Sequence, residues 1–255
     1  MKNFCRLSLI SISLCVLMLI QGCGQTLKVP QNPQFTLEWE DHFDGFDTSR
    51  WQTGTHTFKN NLVQFAPENV TFQDGTMRLH LKKEKTEERD FTGAEYRTKE
   101  KFLYGRYVVS ARFPQGSGIV TSFFTFRAPP VPKWQEIDVE VLGKDTSHVQ
   151  FTYFWGFPPD FKAETFDLDF TTDDGFHEYV FEWIPGQITW FVDGQKIYTA
   201  TGKKIPHMAQ QIMMNIWISA DTAWAGDLDE SALPTYTEYD YVKYYRLDPA
   251  EDVDN

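Results

Sequence analysis

Tyr179-Val180-Phe181-Glu182-Trp183-Ile184-Pro185-Gly186-Gln187-Ile188-Thr189-Trp190-Phe191-Val192-Asp193-Gly194 is the stretch whose reading sets the fold class. Tyr179, Phe181 and Trp183 recur at every second position, and Ile188, Trp190 and Val192 do so again, which is the period of a half-buried β-strand. Pro185-Gly186 separates the runs and Asp193-Gly194 ends the second, so two successive turns frame one hairpin strand. Working outward, Met77, Leu79 and Leu81 alternate with Arg78 and His80 after the turn dipeptide Asp74-Gly75, and Tyr107, Val109, Ala111 and Phe113 form another such set. No window of a dozen residues carries a 3.6-residue apolar repeat, apart from a short turn of helix expected near Asp47 to Trp51. Many short strands joined by turn dipeptides predict an all-β fold, a sandwich of two packed antiparallel sheets, in preference to a barrel. At 255 residues a single domain is expected, running from 35 to 248.

The first 22 residues place Lys2 and Arg6 ahead of an apolar run from Leu7 to Ile20 that is too short to cross a bilayer, the layout of a signal peptide. The run ends Leu19-Ile20-Gln21-Gly22-Cys23, which resembles the lipobox of bacterial lipoproteins and implies lipidation of Cys23. Residues 23–34 then read as a tether with Pro30 and Pro33, and 249–255 as an acidic tail. The expected location is the bacterial cell envelope, with the lipid as the only membrane contact. All three cysteines, Cys5, Cys15 and Cys23, lie in this region, so the folded domain has neither a disulfide nor a Cys-bound zinc. Removing Lys2 and Arg6 takes the formal charge from -12 to -14, which argues against nucleic acid and leaves neutral sugars as compatible partners. Aromatic residues make up 16%, enough to serve both a core and a groove that stacks on sugar rings. There is no HExxH, no Gly-x-Ser-x-Gly and no phosphate-binding glycine loop, and the six histidines are scattered.

In Trp134-Gln135-Glu136-Ile137-Asp138-Val139-Glu140-Val141-Leu142, Trp134, Glu136, Asp138 and Glu140 share one face and Ile137, Val139 and Val141 the other. A solvent-facing strand would show the same alternation. Three like charges on one face repel, however, and a strand selected only for stability mixes signs. Glycoside hydrolysis needs one ionised and one protonated carboxyl, about 5–5.5 Å apart when configuration is retained. Two flexible glutamates leaning towards one sugar can reach that spacing, so retention is expected, although spacing alone does not say which glutamate attacks. Gly143 to Ser147 read as a hairpin loop, and the pairing that follows sets Gln150, Thr152 and Phe154 opposite Glu140, Asp138 and Glu136.

The run Glu136 to Asp145 resembles the active-site strand of glycoside hydrolase family 16, especially the bacterial lichenases, which are endo-β-1,3-1,4-glucanases. The likeness extends through Ala94-Glu95-Tyr96-Arg97, Gly118 to Phe124, Val149-Gln150-Phe151, Ile212 to Trp217 and Tyr239 to Tyr244, nearly all of 36–246. It implies a β-jelly-roll of two curved sheets with an open cleft, and retaining endo-hydrolysis of mixed-linkage or β-1,3-glucan by a monomer. By the same resemblance Glu136 is the nucleophile, Asp138 its assisting carboxyl and Glu140 the acid/base. Substrate contacts fall on Glu95, Arg97, Phe124, Trp134, Gln150, Asn215, Trp217 and Trp224. No cofactor is implied for catalysis, while Asp240 matches a position that helps to bind a structural calcium. Two departures stand out. A cysteine pair usual in lichenases is replaced by Val63 and Gly93, and Thr152 and Phe154 stand where lichenases resemble Asn and Tyr, which weakens the case for strict mixed-linkage specificity. Transglycosylation on β-glucan or xyloglucan is the competing reading, and a noncatalytic glucan-binding lipoprotein is a second.

Overall fold

The computed structural model describes residues 32–127 and 134–249; the expected leader, Cys23 and nearly all of the tether and tail lie outside the described residues. In chain order the first strands are β1 (Phe35–Asp41), β2 (Trp51–Thr53), β3 (Val63–Phe65), β4 (Val70–Gln73), β5 (Thr76–Leu81) and β6 (Phe91–Thr98). They are followed by β7 (Gly105–Arg112), β8 (Ile119–Arg127), β9 (Trp134–Leu142), β10 (His148–Gly156) and β11 (Asp160–Asp167). The last are β12 (His177–Ile184), β13 (Gln187–Val192), β14 (Gln195–Thr201), β15 (Gln211–Ile218) and β16 (Thr235–Leu247). They form two 8-stranded sheets, one ordered β14-β13-β12-β7-β16-β5-β4 with β1 against β16, the other β11-β10-β9-β8-β15-β6-β2 with β3 against β6. This is the expected sandwich, with one departure: β3 runs parallel to β6, whereas every other pairing between described strands is antiparallel.

The opening stretch forms the β12–β13 hairpin, with Tyr179 opposite Val192 and Ile184 opposite Gln187. Asp74-Gly75 and Asp193-Gly194 hold positive φ at both central residues (54° and 74°, 47° and 75°), the geometry of tight hairpin turns that match strand twist. The apolar set of each alternation enters the space between the sheets. Tyr107 stacks on Phe181 with centroids 4.7 Å apart, and Trp190 on Phe151 at 5.4 Å. With no cysteine in the domain, burial carries the stability, each fully buried large apolar side chain contributing on the order of 2–3 kcal/mol.

Near Asp47 the expected turn of helix is a single closed turn that does not propagate, the Asp47 carbonyl accepting from the Trp51 N–H (2.9 Å). Residues 48–50 make a turn into β2, because the Asp47 carboxylate accepts from the backbone N–H and hydroxyl of Ser49 and draws the chain into a tight loop. The described α-helix is instead α1 (Thr222–Ala225), capped by Asp221, whose carboxylate accepts from the Trp224 N–H. Val63 and Gly93 do lie against each other across β3 and β6. A Cβ placed on Gly93 would sit 2.5 Å from the Ile216 carbonyl oxygen and 2.7 Å from Cγ2 of Val63, so backbone and valine branch together leave no room for a second side chain.

Candidate active site

β9 lies in the interior of its sheet, with Ile137, Val139 and Val141 fully buried against the core and Trp134, Glu136, Asp138 and Glu140 on the open face. Two hydrogen bonds from the opposite sheet fix this floor from behind. Trp190 Nε1 donates to the Asp138 carbonyl (3.2 Å), and Tyr239 Oη to the Ser122 carbonyl on β8 (3.0 Å). The expected β9–β10 register holds: Gln150, Thr152 and Phe154 face Glu140, Asp138 and Glu136.

Register through β8, β15 and β6 then gathers residues from distant parts of the chain into rows across the open face. Gln150, Glu140, Ser122, Asn215 and Glu95 form one row; Thr152, Asp138, Phe124, Met213 and Arg97 the next; Phe154, Glu136, Phe126 and Gln211 the third. Phe124 takes the open face and Phe123 the core. Trp217 meets Trp224 of α1 with centroids 5.9 Å apart and Phe58 edge-on at 5.2 Å. At the Glu136 end, Trp134 packs edge-on to Phe126 (5.2 Å), and Phe154 packs on Phe161 (5.3 Å). Aromatic rings therefore stand at both margins of the acidic floor. Phe58, Phe126 and Phe161 were not expected from sequence. Phe126 shares the face of Phe124 two residues on, a signal that was present, while Phe58 lies in a loop without periodicity.

The carboxylates differ in what holds them. Glu136 Oε2 accepts from Trp134 Nε1 at 2.6 Å. Glu140 Oε2 accepts from Gln150 Nε2 (3.1 Å) and Thr152 Oγ1 (3.2 Å), and Trp224 Nε1 donates to Gln150 Oε1 (3.1 Å), which fixes the amide's orientation. Burial pushes Glu136 up to about 8, against the Trp134 hydrogen bond and with added repulsion from Glu140. Burial pushes Glu140 up to about 7, opposed by the Thr152 and Gln150 donors. Asp138 is raised well above the usual carboxylate range by burial and then by both neighbours. A trio so placed keeps at least one proton near neutrality. An indole N–H can only donate, so it favours an ionised Glu136. A threonine hydroxyl can donate or accept, so the surroundings of Glu140 suit either protonation state.

Four of the unpaired buried atoms lie on the same face. Asp138 Oδ2, Glu95 Oε1, Arg97 Nε and Asn215 Oδ1 have no hydrogen-bond partner among the described residues. Each such atom costs about 1–3 kcal/mol unless a ligand satisfies it, and a polyhydroxylated ligand supplies both donors and acceptors. Glu95 sits 3.0 Å from Arg97 Nη1 in a charge contact without hydrogen-bond alignment, and burial still pushes it up to about 7 despite the guanidinium. Gly54 packs directly on it: a Cβ there would meet Glu95 Cβ and Oε1 at 2.9 Å. Asp240 lies on β16 in the other sheet, at the register shift opposite β7, and accepts from Ser110 Oγ at 3.4 Å. Among the described residues no three His, Cys, Asp or Glu side chains converge as a metal site, so a calcium shell of 6–8 oxygens would have to come largely from groups other than carboxylates.

The model of the glycosyl hydrolases family 16 matches residues 58–243. A β-glucanase of Brevibacillus brevis is 36% identical over 230 residues, 88% of this chain and 87% of that one, and a β-glucanase of Paenibacillus macerans is 42% identical over 204 residues, 78% and 84%. A crystal structure of a prokaryotic β-1,3-1,4-glucanase (lichenase) from a mouse hindgut metagenome superposes with a TM-score of 0.76 at 35% identity, covering 81% of this chain and 97% of that one. The Bacillus licheniformis β-glucanase gives 0.75 at 34%, covering 81% and 96%. This chain is a glycoside hydrolase and belongs to family 16.

Proposed function

We propose that the chain cleaves a β-glucan internally, with mixed-linkage β-1,3-1,4-glucan or β-1,3-glucan as substrate, and retains configuration through a glycosyl-enzyme intermediate. The observation that carries the assignment is the unequal hydrogen bonding of two glutamates on one strand face. Glu136, whose ionised form the donor-only indole favours against the burial that raises it, attacks the anomeric carbon while Glu140 gives its proton to the leaving oxygen. Glu140, now ionised, takes a proton from water, whose oxygen attacks the same carbon and releases Glu136. Asp138, protonated, donates to the nucleophile. Glu95, Arg97 and Asn215 bind sugar hydroxyls, Phe124, Trp134, Trp217 and Trp224 stack on ring faces, and Gln150 aligns Glu140. No step needs a cofactor.

Azide separates the two glutamates on an aryl β-gluco-oligosaccharide. Glu136→Ala with azide should give the α-glycosyl azide, because azide enters from the vacated nucleophile side, and Glu140→Ala the β-glycosyl azide by way of the intermediate. The opposite pair of products overturns the roles, and undiminished hydrolysis by Glu136→Ala overturns the mechanism. Products longer than the substrate would place transfer ahead of hydrolysis.

We also propose that Cys23 carries a lipid that tethers a monomeric domain to the cell envelope. The lipobox-like Leu19 to Cys23 supports this, and Cys23→Ala should release the protein from the membrane fraction. The resemblance around Asp240 supports a structural calcium on the sheet opposite the carboxylates.

A further inference from the structure

Beside Glu140 the open face holds a pocket of about 390 Å3. His148 and Gln150 of β10 and Thr165 of β11 form its base, and Lys144, Ala223 and Trp224 its sides. Gln150 links it to the chemistry, since its amide donates to Glu140 while its side chain lines the pocket. We propose that this pocket is a subsite for a neutral single-sugar branch on the glucan backbone; the inference rests on the β-glucan hydrolase reading above.

Three observations support it. The size is at the lower end of the roughly 300–1,000 Å3 typical of small-ligand sites, which suits one monosaccharide better than a continuing chain. The charges on its wall are already satisfied: Lys144 Nζ donates to the Trp224 carbonyl, and His148 lies between Asp145 Oδ2 (3.0 Å) and Asp167 Oδ1 (2.9 Å). No cation is left for a phosphate, sulfate or uronate, while the indole face and the Thr165 hydroxyl remain for a neutral polyol. The opposite margin of the floor carries rings without polar atoms at Phe126, Phe154 and Phe161, which offer a sugar branch no hydrogen-bond partner. A substituent projecting towards the β9–β10 hairpin meets polar partners, and one projecting towards those three rings meets none from them.

Thr165 is exposed on the edge strand β11 and Ala223 is exposed on α1, so Thr165→Trp and Ala223→Phe each fill the pocket without altering a residue assigned to catalysis or to the main chain of the substrate. The probe is a gluco-oligosaccharide of the backbone the enzyme cleaves, with and without a single β-1,6-linked glucosyl unit. Calorimetric binding to Glu136→Gln and kcat/KM of the active enzyme are both measured. The branched ligand should bind Glu136→Gln at least as well as the linear one. Either filling variant should weaken the branched ligand about tenfold, ~1.4 kcal/mol, and leave the linear one within about twofold. Equal loss on both ligands, or no loss on either, overturns the branch subsite while leaving hydrolysis of the linear substrate intact. Failure of the wild-type protein to cleave any linear β-glucan would instead remove the functional reading itself.

Discussion

Replacing Trp134 with Phe keeps an aromatic ring between Phe126 and Phe154 and removes one atom group of consequence, the indole N–H that sits 2.6 Å from Glu136 Oε2. A hydrogen bond to a charged acceptor contributes about 1.5–3 kcal/mol, and 1.36 kcal/mol corresponds to one pKa unit, so loss of this donor should raise the Glu136 pKa by about 1–2 units. The sign follows from which form the donor stabilises. The N–H favours the carboxylate, so without it a higher pH is needed to ionise the nucleophile. With Glu136 at about 8 and Glu140 at about 7, the alkaline limb of the kcat/KM profile is set by Glu136 and should move to higher pH by that amount, while the acidic limb, set by Glu140, moves far less. The assay is kcat/KM against pH for wild type and Trp134→Phe on a soluble glucan, with circular dichroism to establish folding. A uniform fall in kcat/KM at every pH, with the alkaline limb in its original place, would refute the reasoning and reduce Trp134 to a stacking surface.

The reciprocal variant, Thr152→Val, removes one donor from Glu140 and should raise the acidic limb, by less than the Trp134 effect because Gln150 still donates; a pH–rate profile checks this. Glu95→Gln should stabilise the fold near neutral pH and hardly at all near pH ~4. Its folded pKa of about 7 exceeds the ordinary value of 4.5, so the native state holds a proton that the unfolded state has released between those values, and stability falls as pH rises through that window. The 2.5-unit difference sets an upper limit of about 3 kcal/mol, reduced by the loss of the Arg97 contact, and melting curves at two pH values measure it. Gly54→Ala places a methyl 2.9 Å from Glu95 and should displace it, raising KM more than it lowers kcat, with an overpacking cost of about 1–3 kcal/mol. If Asp240 helps to hold calcium, a chelator should lower Tm while leaving kcat at low temperature unchanged, and an unchanged melt under chelation removes the ion.

Much of the outcome was legible in one dimension because a strand's side chains alternate with period two. Tyr179 to Val192 announced both faces of a hairpin, and Glu136, Asp138 and Glu140 announced an acidic face, without reference to any partner strand. The turn dipeptides fixed where the chain reverses, since few residues tolerate the positive φ found at Asp193 and Gly194. The four-residue α1 was invisible because it is shorter than the window in which a helical period shows, and the turn at 48–50 resembled a helix start because one aspartate side chain can serve either. What only the tertiary structure decided is what stands beside what. Sheet order brings Glu95, Asn215 and Glu140 into one row although 120 residues separate the first two, and it joins Trp224 through Gln150 to Glu140. Spacing along β9 treats its two glutamates as equivalent. They differ because donors from β10, oriented by α1, surround Glu140 while Glu136 is left to a local indole; burial raises both carboxyls, and the donors in contact oppose it unequally.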